Sequence, residues 1–170
     1  MSAFVTQIGE AFVGAGGDAA HLNTVLGAKG GPVEAAWASA LASPTHGHIP
    51  FVTVLQPGLP VKPFTLFINK ASIAGDRPAE LTWGAAQAGV AQGVAEAVAQ
   101  QVIPHAQVDD LLLIAAVWVD PKADDADRVF AHNSRATFEA LVAGARKRPP
   151  IEAVLEARSE PFNPFFRPRG

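Results

Sequence analysis

The chain contains no cysteine, which excludes a disulfide framework and any thiolate metal site. Charge is scarce too: 17% of residues are charged against 49% hydrophobic, with 15 Gly and 14 Pro. That balance excludes a disordered chain and fits a turn-rich globular protein whose apolar surface is partly covered by copies of itself. Long apolar runs are missing. The longest, Leu111 to Val119, is held between Asp110 and Asp120 and is far too short to span a bilayer, so no membrane association is expected. No basic residue precedes Lys29 and no apolar h-region opens the chain, so a signal peptide is not expected and the cytoplasm is the expected compartment. A basic face is also lacking. Before Arg146 there are thirteen acidic and seven basic residues, and the excess of positive charge is confined to the end. Binding to nucleic acid over a broad surface is therefore not expected.

What is present is a regular alternation of strand and helix signals over 170 residues, the length of one domain. Strands are expected at about 4–13 and 19–26, joined by the Gly14-Ala15-Gly16-Gly17 cluster as a hairpin. Gly27 to Pro32 ends the second strand, and Pro32 suits the first turn of a helix running to about Ala42. Extended segments follow at 51–56 and 64–73, separated by the Pro57-Gly58-Leu59-Pro60 turn. An Ala- and Gly-rich helix is expected over about 78–101, its small residues letting it sit close on a sheet. The apolar run 111–119 reads as a strand covered on both faces, and a final helix over 125–146. The expected fold class is α+β: a single two-layer domain, with a mixed or mostly antiparallel sheet backed by helices. Residues 1–148 would form it, and 149–170 a Pro/Phe/Arg-rich tail that packs on the body or on a neighbouring copy through Phe162, Phe165 and Phe166.

The candidate chemistry lies on two of these strands. Side chains alternate along a strand, so His21 and Asn23 share one face, roughly 7 Å apart and reachable by one small ligand. The same rule pairs Lys70 with Ser72. The plainer reading of His21 is a half-buried histidine with both nitrogens satisfied. His46-Gly47-His48 resembles a metal pair, but no carboxylate adjoins it and no metal is expected. Gly27 to Pro32 matches neither phosphate-binding glycine pattern and reads as a tight turn. The acidic cluster Asp120, Asp124, Asp125 and Asp127 lacks calcium-loop spacing and reads as a solvated helix start.

Several blocks in one order then carry a resemblance. They are Ile8 to Gly14, Ala20-His21-Leu22-Asn23, Gly27 to Pro32, Leu55 to Pro63, Asn69-Lys70-Ala71-Ser72, Trp83 to Ala91, Ile103-Pro104, Ala106 to Leu111 and Asn133 to Thr137. Together they resemble the formaldehyde-activating enzyme family across most of residues 8 to 144. The resemblance implies a fold like ribosomal protein S5 domain 2. It also implies condensation of formaldehyde with tetrahydromethanopterin, or its dephospho form, to the methylene derivative and water. A homopentamer is implied, with the pterin site near subunit contacts, the pterin acting as co-substrate and no cofactor permanently bound. His21 falls on the family's catalytic histidine. Lys70 and Gln87 fall on substrate-contacting positions, Asn23 and Ser72 where the family has Asp and Thr, and Val52 on an apolar position usually filled by Leu.

The chemistry accounts for the histidine. A pterin nitrogen adds to formaldehyde to give a carbinolamine, and its hydroxyl must depart as water before the second nitrogen closes the ring. A general acid that titrates near neutral pH speeds that departure, and a shared pocket removes the cost of encounter. A carboxylate beside the ring would favour imidazolium, whereas neutral Asn23 can only orient it. Two other readings stay open: a catalytically weakened paralogue that binds or senses formaldehyde or pterin, and a partner subunit in a mixed ring.

Overall fold

The β1–β2 hairpin sets the frame of the computed structural model, which describes residues 4–168. β1 (Gln7–Val13) and β2 (Ala20–Ala28) pair antiparallel, joined through the glycine cluster by a short 3-10 turn, Gly16–Asp18. α1 follows at Pro32–Ala42 with proline in its first turn, as expected. The middle of the chain is broken into short strands: β3 (Phe51–Val52), β4 (Val54–Gln56), β5 (Leu59–Pro60) and β6 (Phe64–Asn69). Next comes a continuous helical run: α2 (Asp76–Ala79), a wide π-helical stretch (Glu80–Ala86) and α3 (Gln87–Ala99). β7 (Leu111–Val119), α4 (Ala126–Ala145) and α5 (Ile151–Ala157) complete the order.

The main sheet runs β1-β2-β7-β6-β3, and β4 and β5 form a separate two-stranded piece. β2 lies antiparallel to β7, β3 antiparallel to β6, and only β6 and β7 run parallel. The sheet is thus mixed and mostly antiparallel, and the fold is α+β as its sequence suggests. α4 starts where Asp125 caps the backbone N–H of Arg128 at 3.0 Å, an Asp in its preferred position.

One sheet face carries the core. Ala11 and Val13 of β1, Leu22 and Leu26 of β2, and Leu113, Ala115 and Val117 of β7 are all buried. The approach of α4 to β1 depends on Gly9, where an added Cβ would lie 1.8 Å from the Ala140 carbonyl oxygen. The glycines of α3 serve a different contact from the one expected. A Cβ at Gly89 or Gly93 would fall 2.4 Å from Phe130 O or 2.5 Å from Ser134 O, so these small residues let α3 sit close on α4.

The other sheet face differs from expectation. β7 is not covered on both sides: Ile114, Ala116 and Trp118 are only half-buried. On this face β1 presents Ile8, Glu10 and Phe12, and β2 presents His21, Asn23 and Val25. The apolar run on β7 misled because small and aliphatic side chains satisfy an open face as readily as a covered one.

Candidate active site

Pairing register assembles the site on that open face. In the hairpin Glu10 stands opposite Asn23 and Phe12 opposite His21. From the other side β7 sets Trp118 against His21 and Ala116 against Asn23. Lys70 follows directly after β6, and its backbone N–H donates to Val117 O at 2.7 Å, which returns its side chain toward β2.

Four polar side chains then form a line. Glu10 Oε1 lies 3.0 Å from His21 Nε2. Lys70 Nζ donates to Asn23 Oδ1 at 2.8 Å and lies 3.3 Å from His21 Nδ1. A carboxylate can only accept, so Nε2 carries a hydrogen; in the Nε2–H tautomer the lone pair of Nδ1 then faces Lys70. An ammonium or amine donates, so the Asn23 oxygen, not its nitrogen, faces Lys70. Burial pushes the Lys70 amine below the ordinary lysine value, and the negative charge of Glu10 acts in the opposite direction.

These groups line a cavity of about 1190 Å³ together with Phe12, Trp118 and the segment Phe162 to Arg167. The tail therefore does reach the body, through the edge of Phe165 on the Trp118 ring at 5.6 Å. The contact is thin: Phe162, Phe165 and Phe166 remain 66%, 77% and 61% exposed. The last two residues of the expected tail lie outside the described residues.

His21, Asn23 and Lys70 are brought together; the other expected site residues are not. Val52 and Gln87 line a separate hollow of about 420 Å³ with Ile49, Phe51, Val54 and Trp83. Gln87 is buried, and its Oε1 accepts the Val54 backbone N–H at 2.6 Å, tying the β4 edge to α3. Ser72 lies beyond the end of β6 and does not share a strand face with Lys70. It is exposed, and its hydroxyl meets His48 Nε2 at 2.9 Å, while His48 Nδ1 contacts Asn69 O at 2.9 Å. Both nitrogens of His48 are thereby engaged by the end of β6 and the loop after it, and no three His, Asp or Glu side chains gather in a metal-binding group among the described residues.

Glu10 was not among the residues expected at the site, nor were Phe12 and Trp118. Hairpin register alone would have found Glu10 and Phe12, because a tight antiparallel connection places both on the face of His21.

The arrangement defines a class: an α+β protein with a histidine–lysine pair, flanked by a carboxylate and an amide, on the open face of its sheet. Residues 8–166 match the formaldehyde-activating enzyme family. The chain is 39% identical over 160 residues to the 5,6,7,8-tetrahydromethanopterin hydro-lyase of Methanosarcina barkeri, covering 94% of this chain and 90% of that protein. It is 41% identical over 150 residues to the bifunctional enzyme Fae/Hps of Methanosarcina mazei, and 35% identical over 159 residues to that of Archaeoglobus fulgidus. These alignments cover 88% and 94% of this chain but only 38% and 40% of the bifunctional proteins. The chain belongs to the formaldehyde-activating enzyme family. No helix among its described residues is long and apolar enough to cross a membrane.

Proposed function

We propose that this chain condenses formaldehyde with tetrahydromethanopterin to methylene-tetrahydromethanopterin and water, with His21 as the proton source for the departing hydroxyl. The observation that carries this reading is the unbroken line Glu10–His21–Lys70–Asn23 within one cavity. Glu10 orients the ring from Nε2–H, and Nδ1 faces Lys70. Lys70 faces the same cavity, and a proton carried by His21 converts the carbinolamine hydroxyl to water. A positioned acid of this kind contributes roughly 10²–10⁴-fold, and confinement of both reactants supplies the remainder.

Membership of the family and similarity to a named hydro-lyase support the reading. Val52, Ser72 and Gln87 lie outside this cavity within one subunit. We propose that a ring, pentameric as the family resemblance implies, brings the Val52–Gln87 hollow of one copy to the His21 cavity of the next.

The test is the rate of methylene-tetrahydromethanopterin formation from formaldehyde and tetrahydromethanopterin. Native protein should exceed the spontaneous reaction, and His21→Ala should return to it. A native rate equal to background would refute the reading.

A further inference from the structure

Lys70 is set up for more than lining the cavity. Its Nζ has two neighbours, Asn23 Oδ1 at 2.8 Å and His21 Nδ1 at 3.3 Å; the amide oxygen accepts from it, as Nδ1 does in the Nε2–H tautomer, and neither carries negative charge. The carboxylate in this group, Glu10, is bonded on the far side of the imidazole. A neutral amine in this position gives one hydrogen to each acceptor, and tetrahedral geometry then turns its lone pair toward the third direction. No protein atom among the described residues hydrogen-bonds there, and Lys70 lines the cavity. That is the posture of a nucleophile facing a bound carbonyl. Burial favours the uncharged amine.

We propose that Lys70 captures formaldehyde covalently and carries it as an imine to the acceptor amine. The proposal rests on formaldehyde being the substrate. The Lys70 lone pair bonds to the carbonyl carbon, the C=O π pair moves to oxygen, and a proton passes from nitrogen to that oxygen by way of His21 Nδ1. The product is the hemiaminal. Nδ1 then takes a proton from solvent in the open cavity and gives it to the hydroxyl, nitrogen expels water, and a protonated methylene imine is left on Lys70. An acceptor amine adds to this carbon, a proton moves to Nζ, and departure of the lysine amine passes the methylene on and restores Lys70. One formaldehyde enters and one water leaves, the proton taken up is released when a second nitrogen of the acceptor closes on the methylene, and no oxidant or reductant is needed.

Asn23 is what makes the capture possible. An aspartate at 2.8 Å would hold the ammonium and tie up the lone pair, whereas the amide oxygen accepts equally well from the amine.

The experiment is reductive trapping with isotopically labelled formaldehyde at limiting concentration and cyanoborohydride, read as the methyl label on each lysine peptide by mass spectrometry. Lys29, Lys62, Lys122 and Lys147 are exposed and serve as internal references. Lys70 should label faster than these, since burial holds its titration below the ordinary lysine value and leaves more free amine at neutral pH. Asn23→Asp should erase that advantage, and Glu10→Gln should increase it. If Asn23→Asp fails to fold, as judged by its melting curve, Glu10→Gln decides. Labelling of Lys70 no faster than the references, or insensitive to these substitutions, overturns the proposal. No pterin is present in the assay, so condensation could persist with trapping absent, or fail with trapping intact, and the two ideas are separated.

Discussion

Glu10 is exposed enough that its removal should leave the fold standing, yet its carboxylate meets the His21 ring at Nε2 and places a ring hydrogen there. The two side chains are 59% and 38% exposed, so their pairing contributes about 0–1 kcal/mol to stability, and Glu10→Gln should melt within a few degrees of the native protein. Its effect belongs to the kinetics. Glutamine can still accept from Nε2–H but without charge, and the difference between a charge-assisted and a neutral hydrogen bond is about 1 kcal/mol. That corresponds to roughly a fivefold loss in kcat. Glu10→Ala removes the acceptor altogether, freeing the ring to place its hydrogen on Nδ1, where it would confront the donors of Lys70. A loss of about 2–3 kcal/mol, or roughly 30- to 150-fold, is expected there. A second readout follows from Lys70. Since the Glu10 charge raises its pKa against the lowering by burial, removing that charge moves the titration of Lys70, and any limb of the rate profile it governs, to lower pH. The assay is kcat and KM for formaldehyde and the pterin across pH in the three proteins. Native kcat in Glu10→Ala, with the Lys70 limb unmoved in Glu10→Gln, would refute the claim that Glu10 acts on the site.

Gly9→Ala should cost at least 2–3 kcal/mol in thermal or denaturant unfolding, because its Cβ would stand 1.8 Å from Ala140 O and α4 would have to lift from β1. Removing residues 161–170 should change Trp118 fluorescence and raise the pterin KM, because Phe165 packs edge to face with Trp118 beside the cavity; an unchanged KM and spectrum would show that the tail has no part in the site. Asp18 should contribute to acid unfolding. The backbone N–H of Asp125 holds its carboxyl below the ordinary value, against the opposing effect of burial, with Asp124 N–H and the Arg128 guanidinium adding to the lowering. A depressed folded-state pKa gives stability that is complete above the unfolded value of about 3.9 and is lost as pH falls through the folded one. Asp18→Asn should therefore melt lower at neutral pH, and the gap to native should close in melts taken below about pH 4; a gap independent of pH would exclude the carboxylate as its cause.

Much of the fold was legible because its signals are local. Pro32 marks the start of α1, Asp125 caps α4, and the glycine cluster after Val13 turns the hairpin. What escaped depends on which neighbour an element meets. The glycines of α3 announced a close approach, but nothing in their spacing says that the partner is α4 and not the sheet. Likewise β7 shows an unbroken apolar run, although one of its faces is half open. Lys70 and Ser72 seemed to share a strand because their spacing is even, yet β6 ends at Asn69 and the loop beyond is held by His48. Periodicity has no meaning past the last ladder hydrogen bond.

The same reasoning changes the significance of Asn23. Along β2 alone, the absence of a carboxylate two residues after His21 looked like a loss of the charge that steadies the ring. Across the hairpin, Glu10 stands directly opposite Asn23 in register, and its carboxylate meets the ring at Nε2. Negative charge is present, but one strand over, and on the nitrogen that does not face Lys70. The consequence is a division that a single aspartate at position 23 could not provide. His21 keeps an anionic partner to define its tautomer, while Lys70 is left among neutral acceptors. Substituting Asn23 by Asp would place charge on both sides of the pair and hold Lys70 as ammonium. A neutral residue at that position, which from the sequence suggests weakened catalysis, in the folded hairpin leaves Lys70 without an anionic hydrogen-bond partner among the described residues.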